Sequence, residues 1–149
     1  MQTALEFREL CRRHHLAGTH QRQVIYQTLM TLDEHPSPEK VYEKVRRRIP
    51  AISLATVYKN LRIFLENGIV REVSLHHGSL RVETRQQPHH HLVCMKCRSI
   101  TDLEEDALTP VRLRHKLPRG FRVERFAVDI LGLCERCAGA GKTSARKIS

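Results

Sequence analysis

The sequence predicts an α+β protein with two domains, and three observations support this. Residues 19–67 carry apolar side chains at helical spacing between capping residues. After Gly68 the pattern changes to short apolar and polar alternations, which are typical of strands. Two Cys-x-x-Cys pairs, at 94–97 and 134–137, predict a metal ion in the C-terminal part. We therefore expect a helical N-terminal domain followed by a mixed domain stabilised by metal.

Each predicted helix of the first domain starts at a capping residue. Thr19 can cap a helix that continues to about residue 32, and the next helix starts where Ser37 precedes Pro38. Ser53 caps a third helix over residues 54–67, and Gly68 suits the left-handed residue that ends it.

The third helix separates its side chains into two faces. Its apolar residues share one side, and the opposite side is small and basic with an aromatic flank: Ala55, Thr56, Lys59, Arg62 and Tyr58. Such a face could approach a DNA duplex closely, or it could belong to an ordinary amphipathic surface helix.

The next segment predicts a hairpin. Residues 70–75 and 79–84 are strand-like and flank His76-His77-Gly78. Three helices followed by a hairpin is the order of a winged helix-turn-helix, so residues 1–84 are predicted to form this domain. The polar residues 85–88 are predicted to be a hinge.

Residues 89–137 are predicted to form the second domain. Strands are expected at 91–94, 99–103 and 122–131, and a helix at 108–117 with Pro110 in its first turn. Residues 138–149 are small, polar and basic, and are predicted to be a disordered tail.

The cysteine pairs give the strongest indication of chemistry. Two knuckles can direct four thiolates, those of Cys94, Cys97, Cys134 and Cys137, at one tetrahedral ion, which suits a structural zinc. The alternatives are a redox-active pair or unrelated thiols, but a redox pair needs no second Cys-x-x-Cys.

A run of histidines precedes the first cysteine. On a strand, His89 and His91 point the same way and His90 points to the opposite face. Imidazoles combined with carboxylates suit Fe²⁺, Mn²⁺ or Zn²⁺, although solvated histidines would give the same pattern.

The composition favours a nucleic-acid partner without proving one. The net charge is +10, which is common in DNA-binding domains and also in generally basic proteins. No apolar run is long enough to span a membrane, and the N-terminus does not resemble a signal peptide, so a cytoplasmic location is expected.

Together these features resemble the ferric uptake regulator (Fur) family. The matching stretches are THQR (19–22), HPSPEKVY (35–42), SLATVYKNL (53–61), HHHLVCMKC (89–97) and CERC (134–137). The resemblance implies a homodimeric, metal-activated repressor whose C-terminal α/β domain dimerises and whose winged helix binds a palindromic operator in double-stranded DNA.

The resemblance also implies roles for particular residues. DNA contacts would come from Arg22 together with Ala55, Thr56, Tyr58, Lys59 and Arg62. A regulatory Fe²⁺ or Mn²⁺ would be bound by His35, Glu83, His89, His91 and Asp102.

Within this family the chain is most similar to the peroxide-sensing (PerR) branch. That similarity implies that Fe²⁺ and peroxide oxidise His35 or His89, so that the metal is lost and the operator is released. At position 102 the aspartate is the residue type of the peroxide branch, whereas at position 83 the glutamate is the type found in iron-responsive relatives. The alternative is therefore an iron-responsive repressor that does not sense peroxide.

Two other classes of protein compete with a repressor. A metalloenzyme would need an open metal position and a general base, and no nucleophile motif is visible, so the chain is predicted not to be an enzyme. A structural zinc-ribbon adaptor would have no use for His35, Glu83 and Asp102 in one place.

Overall fold

The structure is a computed structural model that describes residues 4–32, 35–73 and 78–139. The chain divides into two compact units, Met1–Gln86 and Gln87–Ser149. The division falls between Gln86 and Gln87, within the polar segment 85–88 that is predicted to be a hinge. Within the described ranges, no helix has the length and apolar character needed to cross a bilayer.

The first unit contains four helices and a short hairpin. In chain order these are α1 (Ala4–Arg13), α2 (His20–Met30), α3 (Pro38–Val45), α4 (Leu54–Glu66), β1 (Arg71–Glu72) and β2 (Val82–Glu83). The two strands are antiparallel, with Glu72 opposite Val82. The order of α2 to α4 followed by a hairpin is that of a winged helix-turn-helix.

The predicted capping residues are confirmed. The side chains of Thr19, Ser37 and Ser53 each accept a hydrogen bond from the backbone N–H three residues later. Gly68 has φ +65°, the left-handed conformation that ends α4. The caps therefore determine where these three helices begin, and Gly68 determines where α4 ends.

A single apolar core holds the helices of the first unit together. Its largest fully buried side chains come from all four helices and include Phe7, Ile25, Val41, Leu61 and Phe64. Each contributes about 1.5–3 kcal/mol by leaving water. Burying this face of α4 leaves Ala55, Lys59 and Arg62 exposed on its other side.

The second unit is built around a three-stranded sheet in the order β4-β3-β5. The strands are β3 (His89–Cys94), β4 (Ile100–Glu104) and β5 (Asp129–Gly132), and they are accompanied by a 3₁₀ turn (Glu105–Ala107) and α5 (Glu135–Gly139). β3 is antiparallel to β4 and parallel to β5. Both neighbours thus lie against the histidine-bearing strand.

Two predictions for the second unit are wrong. Residues 108–117 form no helix, since their apolar side chains Val111, Leu113 and Leu117 are exposed and a short helix is not stable without packing. The final strand is limited to Asp129–Gly132, because its pairing with β3 begins only at His91 and Asp129.

The observed hairpin strands are shorter than the predicted ones. The hairpin ladder is short, although a hydrogen bond from the Val73 N–H to the Arg81 carbonyl (2.9 Å) extends it. The predicted hairpin turn at His76 and His77 lies outside the described residues, and so does the predicted tail after Gly139, while Ala138 and Gly139 belong to α5.

Candidate metal centres and nucleic-acid surface

The four paired cysteines converge in the second unit. Cys94 is the last residue of β3, and Cys134 lies just after β5. Because β3 and β5 are parallel neighbours, the two cysteines lie at the same end of the sheet. The sulfur atoms of all four cysteines lie within 4.8 Å of one another. Sγ of Cys94 accepts the backbone N–H of Cys97 at 3.5 Å and that of Cys134 at 3.4 Å. Both bonds orient the Cys94 thiolate, and each knuckle supplies one of the two donors.

The sulfur spacing fits a tetrahedral ion. Sγ of Cys97 lies 3.7 Å from Sγ of Cys134, too far for a disulfide and close to the edge of about 3.8 Å that four Zn–S bonds of about 2.3 Å require. Four sulfur donors fit Zn²⁺ and complete its coordination without an open position. The donor set therefore fits a structural rather than a catalytic ion.

The thiols also differ in their affinity for protons. The backbone N–H of Cys134, followed by that of Cys97, lowers the pKa of Cys94 to about 5. The pKa of Cys137 is raised to about 12, first because its side chain hydrogen-bonds Cys134 and second because burial disfavours the thiolate. Crowded sulfurs cannot all become anionic together unless a cation neutralises them.

A second group of potential ligands lies on the same sheet. The rings of His89 and His91 share one face of β3, with centroids 4.7 Å apart. Asp102 is opposite His91 on β4, and its Oδ1 lies 3.7 Å from Nε2 of His89 and 3.9 Å from Nε2 of His91. Two atoms that each bind one ion at about 2.1 Å are up to about 4.2 Å apart, so this triad fits a shared ion.

The first unit contributes a separate histidine–carboxylate pair. Nε2 of His35 lies 3.5 Å from Oε2 of Glu83, and both side chains are largely buried. Two hydrogen bonds bring them together: Arg81 Nη1 donates to the His35 carbonyl (3.1 Å), and the Val82 N–H donates to the Pro36 carbonyl (3.2 Å). The hairpin thus places Glu83 beside a residue 48 positions earlier in the chain.

Three residues near these ligands were given no role by sequence reasoning. Arg81 supports the backbone at His35, as described above. Asp129 Oδ1 lies 3.5 Å from Nδ1 of His91. Buried His90 accepts the Val128 N–H on Nδ1 (3.3 Å). Each contact joins residues 38 or more positions apart, so no short motif could reveal it.

The residues predicted to touch DNA lie on the first unit. On α4, Ala55, Tyr58, Lys59 and Arg62 are exposed and Thr56 is half-buried. The hydroxyl of Tyr58 donates to Oε1 of Glu39 at 2.8 Å. This bond is the largest cause of the lowered pKa of Glu39, and it raises the pKa of Tyr58.

Arg22 has partners within its own unit. Its Nε donates to Oδ1 of Asn60 at 3.1 Å, and its Nη1 donates to the Ala17 carbonyl. Asn60 is buried and donates in turn to the Thr56 carbonyl at 2.9 Å. The guanidinium therefore ties the start of α2 to α4, whatever contact it makes with phosphate.

Comparison with known proteins identifies the family. The model of the ferric uptake regulator family matches residues 14–131, most of the chain. This chain belongs to the ferric uptake regulator family. Members of the Fur family are transcriptional regulators, so the prediction that the chain is not an enzyme is confirmed.

Individual Fur-family proteins support the same assignment. The peroxide-responsive repressor PerR of Staphylococcus epidermidis is 33% identical over 123 residues, which cover 83% of this chain and 82% of that protein. The peroxide stress regulator of Campylobacter jejuni matches with a TM-score of 0.60 and 25% identity, over 92% of this chain and 100% of that one. The Helicobacter pylori Fur matches with a TM-score of 0.71 at 16% identity, over 92% and 95% of the chains, which supports the fold.

Proposed function

We propose that the protein is a metal-dependent transcriptional repressor in which one regulatory ion joins the two units. The observation that carries the proposal is the division of the ligands: His35 and Glu83 lie on the first unit, and His89, His91 and Asp102 on the second. Neither set alone is a full nitrogen and oxygen shell for Fe²⁺ or Mn²⁺. An ion that uses both sets would restrict the hinge at 85–88.

Restricting the hinge would favour DNA binding. Two winged helices in a dimer must be held at the spacing of two operator half-sites. A protein with a free hinge loses more orientational entropy when it binds DNA than a protein whose hinge is fixed by the ion. The metal-bound protein therefore binds its operator more tightly. The ion thus acts as an effector whose binding is coupled to that of DNA.

We propose that the zinc ion bound by Cys94, Cys97, Cys134 and Cys137 has a separate, structural role. Sulfur donors select Zn²⁺, whereas imidazole and carboxylate donors accommodate Fe²⁺ or Mn²⁺. Each metal would therefore bind the site whose donor atoms it prefers. Because the zinc would stay in place, loss of the regulatory ion would leave the second unit folded.

We propose that the partners are a second copy of the chain and a palindromic operator. The second unit exposes large apolar side chains, namely Leu92, Met95, Leu113, Phe121, Ile130, Leu131 and Leu133. Leu92, Ile130 and Leu133 also line a cavity of about 280 Å³ beside β3 and β5. Apolar surface of this extent supports a dimer interface. The basic face of α4 supports contact with operator DNA, which would place the protein in the cytoplasm.

We propose that peroxide is the signal, as the names of the Staphylococcus epidermidis and Campylobacter jejuni relatives suggest. Fe²⁺, when bound, would activate peroxide without being consumed, because an electron given to peroxide is regained from the ring. In the net reaction the O–O bond of peroxide breaks, one oxygen atom enters a ring C–H bond of His35 or His89, and the other leaves as water. The altered imidazole is a poorer ligand, so the units separate and the operator is released.

The test is mass spectrometry of the Fe²⁺-loaded, zinc-containing protein after treatment with hydrogen peroxide. We expect a gain of one oxygen atom on His35 or His89, together with loss of binding to a duplex that the Mn²⁺-loaded protein has selected from a random library. The Mn²⁺-loaded protein is the matched control and should gain no oxygen.

A different outcome would select the alternative. If Fe²⁺-loaded protein gains no oxygen and keeps its DNA after peroxide, the protein is an iron-responsive repressor. The presence of Glu83, the residue of iron-responsive relatives, favours that second candidate.

A further prediction concerns the DNA-facing side of α4. Because Tyr58 donates to Glu39, its hydroxyl oxygen has a set orientation and can meet a base as an acceptor. We expect Tyr58→Phe to cost about 1–3 kcal/mol of discrimination between the selected duplex and a random one. Lys59→Ala should instead weaken binding to both duplexes equally and reduce the slope of log affinity against log salt by about one.

Fluorescence anisotropy titrations at several salt concentrations separate these two effects. Equal losses on both duplexes for Tyr58→Phe would show that this residue contacts no base.

A further inference from the structure

Asp129 contacts His91, a proposed metal ligand, at the ring nitrogen that does not face Asp102. Its Oδ1 lies 3.5 Å from Nδ1 of His91, and their side chains are 20% and 6% exposed. The parallel register of β3 and β5 places the two residues directly opposite each other. The contact therefore follows from strand pairing rather than from a surface encounter of mobile side chains.

The neighbouring histidine has a matching arrangement. Nδ1 of His89 lies 2.8 Å from the carbonyl oxygen of Gln87. Thus on both rings Nδ1 faces an oxygen atom of the chain, and Nε2 is the nitrogen within 4 Å of Asp102. An oxygen acceptor at Nδ1 keeps the proton there and leaves the Nε2 lone pair to bind an ion.

We propose that Asp129 is a positioning residue that sets the tautomer and the ring orientation of His91. The inference rests on the proposed regulatory site and adds a residue outside its ligand set. His89 is oriented by a neutral carbonyl and His91 by a carboxylate. A carboxylate partner strengthens an imidazole as a donor, and loss of such a partner typically reduces metal affinity 10- to 100-fold.

The test compares variants of the full-length, zinc-containing protein. Asp129→Asn keeps the size of the side chain and removes its charge. We expect its Mn²⁺ affinity, measured by competition with a fluorescent chelator, to fall about 10- to 100-fold. Asp129→Glu should recover part of that loss, and Asp106→Asn, the same change at an exposed carboxyl of the second unit, should cause none.

A second measurement uses the protein before Mn²⁺ is added. Nitrogen-15 chemical shifts of the imidazoles report which ring nitrogen carries the proton. We expect His91 to carry it on Nδ1 in the parent protein and to show a mixture of tautomers in Asp129→Asn, while His89 stays unchanged. A purely structural role for Asp129 would alter the melting temperature without this change at His91.

The outcomes separate this inference from the proposed function. Unchanged Mn²⁺ affinity in Asp129→Asn, or a loss of affinity with no change in the His91 tautomer, overturns the role of Asp129. If His89→Ala also binds Mn²⁺ like the parent protein, the regulatory site itself is wrong. If His89→Ala loses Mn²⁺ but Asp129→Asn does not, only the inference about Asp129 fails.

Discussion

Replacing His89 with alanine is expected to reduce Mn²⁺-dependent affinity for the selected duplex by about 5- to 150-fold, the usual range for coupling between two ligand sites. The imidazole lies in the triad with His91 and Asp102, so its removal takes one nitrogen from the ion that we propose clamps the hinge. Binding measured without Mn²⁺ should not change, because the basic face of α4 is untouched.

The control for this variant is its zinc content. Elemental analysis should still find one zinc per chain, since none of the four cysteines is altered. His14→Ala, a change of a half-buried histidine in the first unit, should behave like the parent protein. A His89→Ala protein whose Mn²⁺ response is intact would contradict the clamp.

Replacing Cys134 with serine is expected to have the largest effect on stability. The sulfur of Cys134 is one of the four clustered donors and lies 3.7 Å from that of Cys97, so the change removes one ligand from the proposed zinc site. Structural zinc contributes about 10–16 kcal/mol of binding free energy, which is as large as the whole stability of a typical domain, about 5–15 kcal/mol. We expect loss of zinc and unfolding of the second unit, seen as reduced strand signal in circular dichroism.

The matched control is Cys11→Ala, because Cys11 is a buried thiol of the first unit outside the cluster. That variant should retain one zinc per chain. A Cys134→Ser protein that keeps its zinc and its strand content would exclude the structural role proposed for the cysteine cluster.

Local patterns predicted much of the fold. The caps at Thr19, Ser37 and Ser53 are confirmed because each depends on a hydrogen bond that spans three residues. The alternation along β3 is confirmed in the same way, with His89 and His91 on one face. Residues 108–117 have helix-like spacing, but spacing alone cannot supply a surface for their apolar side chains to pack against.

The amino-acid sequence by itself determined where α2, α3 and α4 begin, the two cysteine knuckles and the face of β3 that carries His89 and His91. These features depend on neighbours a few residues apart, whose geometry the backbone imposes. Only the tertiary structure decided that Arg81 supports the backbone at His35 and that Asp129 faces His91. Such contacts join residues that are distant in the chain, and they exist only after strands pair and bring the two together.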